Sequence, residues 1–382
     1  MINDDLMRSY KQYIKQQEIG HLKINFSKKL LLSLLFFILL PLGILKLFYM
    51  NTKKNSKLFI FPFGNKEPMK SIISELKNLN NSEIIIHPKA FYIFPFLLLK
   101  DFIGTLFTYP LWTIRNLDFF GALSLKVSKY YGYKVKYEMS KLLLFQEYSF
   151  YSTYLTRIFE HEQGGLYNLM HGIPGKEAAY FRFTKCFVWS EYFKTYYIEN
   201  KSEEEQFLIV GSIFHSQLFN SIENIPFVPM YDILYAMQGD TYGDKKYVKE
   251  VFNVLEKLYE KKKMKIAIKV HPIYHNYIDI PKIFEVINLS PKEAILESNL
   301  ILSHFSTMLL DAKVLNKHVL AFLPEEKLHL VGYLNINEVV VTKDDLYNKI
   351  MFLLKEKLIP SCEIIDIELN TVNIIESNLS RE

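Results

Sequence analysis

The chain has 382 residues, 49% of them hydrophobic, and its 46 basic and 41 acidic residues give a formal net charge of +5. This length is typical of two domains with separate cores, and two cysteines are too few for a disulfide-rich scaffold or a four-cysteine zinc site. The mild charge, without a basic block interleaved with aromatic residues, gives no sign of a nucleic-acid-binding surface.

The first apolar feature is an uncharged run of sixteen residues at 30–45, LLLSLLFFILLPLGIL. A membrane-spanning helix needs about 20 apolar residues, and Pro41 and Gly43 would break or kink a helix here. A second apolar and aromatic stretch, 91–112, is split by the charged pair at 100–101. We therefore expect association with a membrane surface, and a single spanning anchor and a buried core helix remain as alternatives.

From residue 57 onward, short apolar runs alternate with helical stretches, which is typical of βα units around parallel sheets. In the first half this pattern predicts strands at 57–63, 83–88, 141–145, 166–172, 187–190 and 206–212, with helices at 69–79, 149–162 and 191–200. In the second half it predicts strands at 232–238, 264–272, 295–303, 318–323 and 337–341, with helices at 245–263, 306–317 and 344–357.

The proline-containing loop 213–230 is the predicted domain boundary. It divides the chain into an N-terminal segment, 1–56, that carries the membrane-associating stretch 30–50, an acceptor-binding domain, 57–225, and a donor-binding domain, 226–382. We expect two βα domains with a central cleft.

His171 follows a predicted strand and opens the loop HGIPGK, 171–176. Ligands of open α/β sheets bind at the carboxyl ends of strands, where an imidazole can take a proton from an acceptor hydroxyl. Glycines such as Gly172 would let a substrate approach the backbone. Upstream, Glu160 or Glu162 could act as a base or orient an imidazole. The alternative is that these residues only form a turn and a charged helix end.

In the second half, His271 ends a predicted strand two residues after Lys269 and could donate an N–H to an anionic oxygen. Downstream, the segment SHFST places Ser303, Ser306 and Thr307 at a helix N-terminus, which favours a phosphate. Read alone, Ser306 is simply an N-cap. Neither Asp-x-Asp nor a His/Cys cluster with metal spacing occurs, so no metal or other cofactor is predicted.

Five motifs occur in order: HGIPGK, FVWSEYFK, DILYAMQ, IKVHP and SNLILSHFSTMLLDAKVLNKHVLAF. Over about residues 160–325 the series resembles the CDP-glycerol glycerophosphotransferase and capsule-polysaccharide group of GT-B glycosyltransferases, itself similar to bacterial sialyl- and Kdo-transferases. The resemblance implies an α/β fold of two Rossmann-like βα domains facing a central cleft. It implies a catalytic base at His171, supported by Gly172, Pro174 and Lys176 of the same loop. It also implies donor-phosphate ligands at His271, Ser306 and Thr307, beside Ser303 and Lys269.

The predicted function is metal-independent transfer of a sugar or glycerol-phosphate-like unit to a bacterial surface glycan, such as a capsule, lipooligosaccharide or teichoic-acid-like polymer. The donor, activated by a cytidine nucleotide, is a substrate and not a cofactor. The expected partners are this donor, a glycan or lipid-linked acceptor and the cytoplasmic face of the bacterial inner membrane, without nucleic acid. Two alternatives remain: a nucleotide-sugar epimerase of the same fold, and a non-enzymatic protein of polysaccharide assembly or export.

Overall fold

The structure is a computed structural model that describes residues 4–18, 24–48, 58–60, 92–137, 141–145, 149–161, 164–170, 172–173, 183–199, 204–212, 215–216, 218, 228–237, 245–271, 279–355 and 374–375. The chain forms two compact units, residues 1–211 with 369–382 and residues 212–368. The division lies before the predicted boundary at 225, and the first 56 residues belong to the first unit.

The first unit contains a parallel sheet whose strands follow chain order: β1 (Leu58–Ile60), β2 (Lys141–Leu144), β3 (Gly165–Leu169), β4 (Lys185–Val188) and β5 (Phe207–Ile209). The strands β2 and β3 are buried along their whole length, as expected for a parallel sheet covered on both faces. Five predicted strands are thereby confirmed. The predicted strand 83–88 and helix 69–79 lie outside the described residues.

The longer described helices of this unit are α1 (Asp4–Glu18), α2 (Phe26–Phe48), α3 (Phe96–Thr108), α4 (Pro110–Arg115), α5 (Leu117–Tyr137), α6 (Ser152–His161) and α7 (Glu191–Glu199). The sequence did not predict α1, α3, α4 or α5. Proline starts the two shorter of these: Pro95 is the N-cap of α3, and Pro110 is the first residue of α4. The helix α2 continues past Pro41, where a break or kink was expected.

One face of α2 packs on the rest of the first unit. Phe36 is fully buried, with its ring centroid 4.4 Å from that of Phe102 in α3. A Cβ atom added to Gly121 of α5 would lie 1.7 Å from the Leu32 carbonyl oxygen, so the backbones of α2 and α5 touch. Among the described residues, no helix combines the length and the apolar character needed to cross a membrane.

The second unit is built on a parallel sheet of β6 (Tyr231–Met237), β7 (Ile266–Val270), β8 (Glu285–Val286), β9 (Ser298–Ser303), β10 (His318–Phe322) and β11 (Val339–Val340). The order across the sheet is β11-β10-β9-β6-β7-β8, which is the strand order of a Rossmann sheet. Its longer described α-helices are α8 (Lys245–Lys262), α9 (Pro291–Leu296), α10 (Thr307–Val314) and α11 (Lys343–Leu353).

The strand predicted at 295–303 was wrong at its start, because Ile295 and Leu296 belong to α9 and β9 begins at Ser298. Ser290 and Glu293 form a reciprocal capping box, and Pro291 occupies the first helical position. These start signals outweigh the apolar run, which suits either a strand or a helix. The helix α9 therefore ends two residues before β9 begins.

Candidate functional site

The candidate site lies at the carboxyl end of β6 in the second unit. β6 is the first described strand of this unit, and it lies between β7 and β9. The chain passes from β6 to β7 on one side and later returns to β9 on the other, which makes this end of β6 a topological switch point. Open α/β sheets bind ligands in the crevice at such a point.

The strand register brings two sequence-predicted segments to this point. Met237 pairs with Val270 and Tyr235 pairs with Leu302, so His271 and the loop after Ser303 leave the sheet at similar heights. Two strand spacings separate β7 from β9, about 10 Å. His271 and the Ser306 loop therefore flank the end of β6.

On the β7 side, the backbone N–H of His271 donates to the Met237 carbonyl oxygen at 3.1 Å, and its side chain is exposed. Part of the imidazole is still shielded from water, and this desolvation lowers the pKa of His271, which favours the neutral form. Lys269 has a different contact, since its Nζ donates to the Leu289 carbonyl oxygen. Burial lowers the pKa of Lys269, partly offset by Glu293. Lys269 thus ties β7 to the loop before α9.

On the β9 side, Ser306 is the N-cap of α10, and its Oγ accepts from the Met308 N–H at 3.2 Å. The same hydroxyl can still donate its proton to an anion. Thr307 is exposed in the first turn, where the helix dipole also favours negative charge. The Tyr333 hydroxyl donates to the Ser306 carbonyl oxygen at 3.1 Å and holds the cap from below.

Ser303 differs from the other two hydroxyl residues of this loop. It is fully buried, and its Oγ donates to the Ala236 carbonyl oxygen of β6 at 2.7 Å. Its proton is therefore used within the protein, and the hydroxyl joins the end of β9 to β6. Of the three predicted hydroxyl residues, Thr307 is exposed, Ser306 is half-buried and Ser303 is fully buried.

His304, whose role the sequence did not indicate, lies inside the same loop. Its Nδ1 is 2.6 Å from the Phe322 carbonyl oxygen, and its Nε2 is 2.8 Å from the Tyr235 hydroxyl. A carbonyl oxygen only accepts, so Nδ1 carries the proton and Nε2 accepts from Tyr235. Burial is the main cause that lowers the pKa of His304 to about 4. A neutral imidazole thus fastens the loop to β6 and β10.

A second buried histidine, also not predicted, holds the other end of α10. The Nε2 of His215 lies 3.0 Å from Oδ1 of Asp311, and its Nδ1 lies 2.7 Å from the Ser212 hydroxyl. All three side chains are buried. This hydrogen-bonded series connects the first residues of the second unit to α10. The sequence could not predict this contact, because His215 and Asp311 are single residues 96 positions apart and belong to no motif.

Of the predicted residues in the first unit, Glu160 is exposed near the end of α6, and Gly172 is half-buried. The remaining predictions in this unit lie outside the described residues: His171, Glu162, Pro174 and Lys176. The role of base at His171 therefore stays a prediction.

No protein-family model matches the sequence, and no curated protein is significantly similar to it. Solved structures do resemble it. The UDP-GlcNAc 2-epimerase of Neisseria meningitidis bound to UDP-GlcNAc has a TM-score of 0.56 at 15% identity, over 86% of this chain and 100% of that one. The Methanocaldococcus jannaschii UDP-GlcNAc 2-epimerase in complex with UDP-GlcNAc and UDP has a TM-score of 0.53 at 11% identity, over 85% of this chain and 99% of that one. MnaA of S. aureus with UDP has a TM-score of 0.52 at 11% identity, over 86% of this chain and 98% of that one.

The chain has the GT-B fold. The predicted α/β class with two Rossmann-like domains is thus confirmed, and the likeness extends over most of the described chain. At this level of identity the likeness establishes the fold alone.

Proposed function

We propose that the protein is a GT-B glycosyltransferase that uses a nucleotide-activated donor, with a cytidine nucleotide as the preferred carrier and a bacterial surface glycan as acceptor. The observation that carries this proposal is the switch point of the second unit. There, the exposed His271 and the N-cap hydroxyl of Ser306 flank the end of β6. The fold supports it, because each of the three similar proteins is described with UDP or UDP-GlcNAc.

In the reaction, an acceptor oxygen forms a bond to the donor's anomeric carbon while the bond from that carbon to the phosphate oxygen breaks. The electron pair of the broken bond stays on the phosphate, which leaves with the nucleotide. An N–H from His271, the hydroxyls of Ser306 and Thr307 and the positive end of α10 would stabilise the growing negative charge. The acceptor proton goes to the predicted base, His171.

Loop geometry supports this assignment. A hydrogen-bond donor of the protein stabilises the leaving phosphate well only if it is already in position when the negative charge develops. Moving the loop at that moment would cost energy. The Tyr333 hydroxyl donates to the carbonyl oxygen of Ser306. Earlier in the loop, the Ser303 side chain bonds to β6, and the His304 side chain bonds to β6 and β10. The loop is thus fixed by four side-chain hydrogen bonds before any ligand arrives.

A nucleotide-sugar epimerase is the second candidate, because the similar structures reported above with the highest TM-scores are described as epimerases. The two candidates use the same phosphate-binding chemistry and differ in the need for an acceptor. Product formed from the donor without any acceptor glycan would favour the epimerase.

The first experiment is thermal unfolding of the full chain with CMP, CDP and UDP. A nucleotide at a hundred times its Kd stabilises the folded state by about 2.7 kcal/mol, so binding raises Tm. We expect Ser306→Ala to lower Tm and also to diminish this rise. Thr342→Ala, which removes the N-cap of α11, should lower Tm while keeping the rise. If no nucleotide raises the Tm of the wild type, the proposal is wrong.

The second experiment tests transfer with a donor that the first experiment selects. His171→Ala is expected to abolish turnover and to leave the nucleotide-dependent rise in Tm intact, because the two roles are assigned to different units. Turnover unchanged in His171→Ala would move the role of base elsewhere, to Glu162 or Glu160.

A further inference from the structure

Three helices of the first unit carry many exposed apolar side chains. Twelve large apolar side chains on α2, α3, α4 and the α3–α4 junction are between 41% and 82% exposed. They are Phe26, Leu30, Leu31, Leu34, Phe37, Ile38, Phe96, Ile103, Phe107, Tyr109, Leu111 and Ile114. We call this set the apolar face. Monomeric proteins rarely expose contiguous apolar patches larger than a few hundred Å².

The apolar face follows from helical periodicity. On α2 the exposed residues from Phe26 to Ile38 recur at spacings of three and four, opposite to the buried Leu32 and Phe36. On α3 the exposed Phe96, Ile103 and Phe107 fall on one side in the same way. A helix that is apolar all round needs a cover on both sides, and the described residues of this unit cover only one side of α2.

The exposed residues of α2 and α3 adjoin where an aromatic contact joins the two helices. Phe36 of α2 contacts Phe102 of α3, and each is followed directly by an exposed residue, Phe37 and Ile103. The other exposed apolar side chains of the described chain lie on the second unit, at Val228, Met230, Tyr259, Ile283, Val286, Ile336, Val341 and Phe352.

The charges around the apolar face are basic. Lys28, Lys29, Lys100 and Arg115 are exposed on α2, α3 and α4, and α2 contains no acidic residue. The single acidic residue of α3 and α4 is Asp101.

Asp101 points into the protein. Its carboxylate accepts from the Tyr154 hydroxyl at 2.6 Å and pairs with Arg157 at 2.9 Å. The α3 carboxylate is thus neutralised inside the unit, while its neighbour Lys100 remains exposed. The charge presented beside the apolar face is therefore positive.

A lysine group at the N-terminal end of α2 adds to this charge. Burial, followed by the nearby Lys129 and Lys28, lowers the pKa of Lys126 on α5. Lys28 and Lys129 therefore lie near enough to Lys126 for their positive charges to act on it.

We propose that the apolar face is a docking surface for an anionic lipid bilayer, with α2, α3 and α4 lying in the headgroup layer. Apolar side chains enter the upper acyl region, and the surrounding lysines contact lipid phosphates. A second copy of the chain fits less well, because a two-fold contact through the same face would bring its basic residues together.

The test is co-sedimentation of the full chain with vesicles of phosphatidylcholine, with and without phosphatidylglycerol. We expect binding to the anionic vesicles that weakens as salt is added. Phe37→Ser combined with Phe107→Ser should weaken it at least about tenfold, the change that corresponds to about 1.4 kcal/mol. Lys28→Glu combined with Lys29→Glu should remove the preference for phosphatidylglycerol.

The matched control is Val228→Ser combined with Ile336→Ser, which alters exposed apolar residues of the second unit, 87% and 84% exposed. It should bind vesicles like the wild type. All substituted side chains are exposed, so circular dichroism and Tm should not change. Undiminished vesicle binding by the Phe37/Phe107 variant would overturn the proposal. The proposal would also be overturned by the following combination of results. The wild type does not bind vesicles and is a dimer in light scattering, and the Phe37/Phe107 variant is a monomer.

Discussion

Tyr235 and His304 are joined by a hydrogen bond of 2.8 Å inside the second unit, although 69 residues separate them in the chain. The bond fixes the tautomer of the imidazole, because the opposite nitrogen must donate to the Phe322 carbonyl oxygen. In a positively charged imidazole Nε2 would carry a proton and could no longer accept the hydrogen bond from the Tyr235 hydroxyl. The charge would also be buried. The loop that carries Ser306 is therefore held by a histidine that must stay neutral.

The first prediction concerns stability in acid. The unfolded chain protonates His304 near pH 6.5, whereas the folded protein does so only near its pKa of about 4. Between these values the unfolded state binds the extra proton, so this contribution to stability is lost as pH falls from about 6.5 to about 4. The loss is on the order of 3 kcal/mol.

The measurement is Tm as a function of pH for the wild type and His304→Gln. Glutamine can donate and accept but does not titrate, so its Tm should fall less steeply over this interval, even if its Tm at neutral pH is lower. Parallel curves for the two proteins would show that the neutral imidazole makes no such contribution.

The second prediction concerns the contact between His215 and Asp311. Asp311→Ala leaves the buried Nε2–H of His215 without its acceptor, which costs about 1 to 3 kcal/mol. Asp344→Ala alters an exposed aspartate in the first turn of α11 and serves as the control. We expect chemical denaturation to give a clear loss of stability for the first variant and a change of less than about 1 kcal/mol for the second. Equal losses would mean that the buried pair is not special.

The third prediction compares two helical glycines. Gly121→Ala places a Cβ 1.7 Å from the Leu32 carbonyl oxygen, so α2 must move away from α5. Gly104→Ala on α3 meets no atom within 4 Å. Alanine is favoured over glycine in a helix by about 1 kcal/mol, so Gly104→Ala should keep or raise Tm, whereas Gly121→Ala should lower it. Limited proteolysis of residues 24–48 should accelerate only in Gly121→Ala.

Local signals in the sequence predicted most of the described strands and the cap of α10, but not β8 or the start of β9. The apolar run of β7 followed by His271, and the hydroxyl of Ser306 before α10, are each contained in a few consecutive residues. The same kind of signal existed for α9, where Ser290 and Glu293 form a capping box. There the apolar residues that follow were assigned to a strand, because a short apolar run suits both structures.

Contacts between distant residues could not be predicted from the sequence. No residue near His304 in the sequence indicates Phe322 as its partner. In the same way, no residue near Tyr13 of α1 indicates Asp118, whose carboxylate accepts a hydrogen bond from the Tyr13 hydroxyl at 3.0 Å. The inward direction of Asp101 is a case of the same kind. In the sequence it divides an apolar stretch, whereas in the structure it leaves the exposed side of that stretch free of negative charge.

The backbone contact between Leu32 and Gly121 means that α2 is not a tether. The helix α2 is packed on α5, α5 contacts α6, and α6 lies on β3. A force on the outer side of α2 is thus transmitted to the sheet without passing through a flexible segment. A planar surface that binds the outer side of α2 would therefore fix the tilt of the first unit relative to that surface. The unit could still slide along the surface and rotate about the axis perpendicular to it.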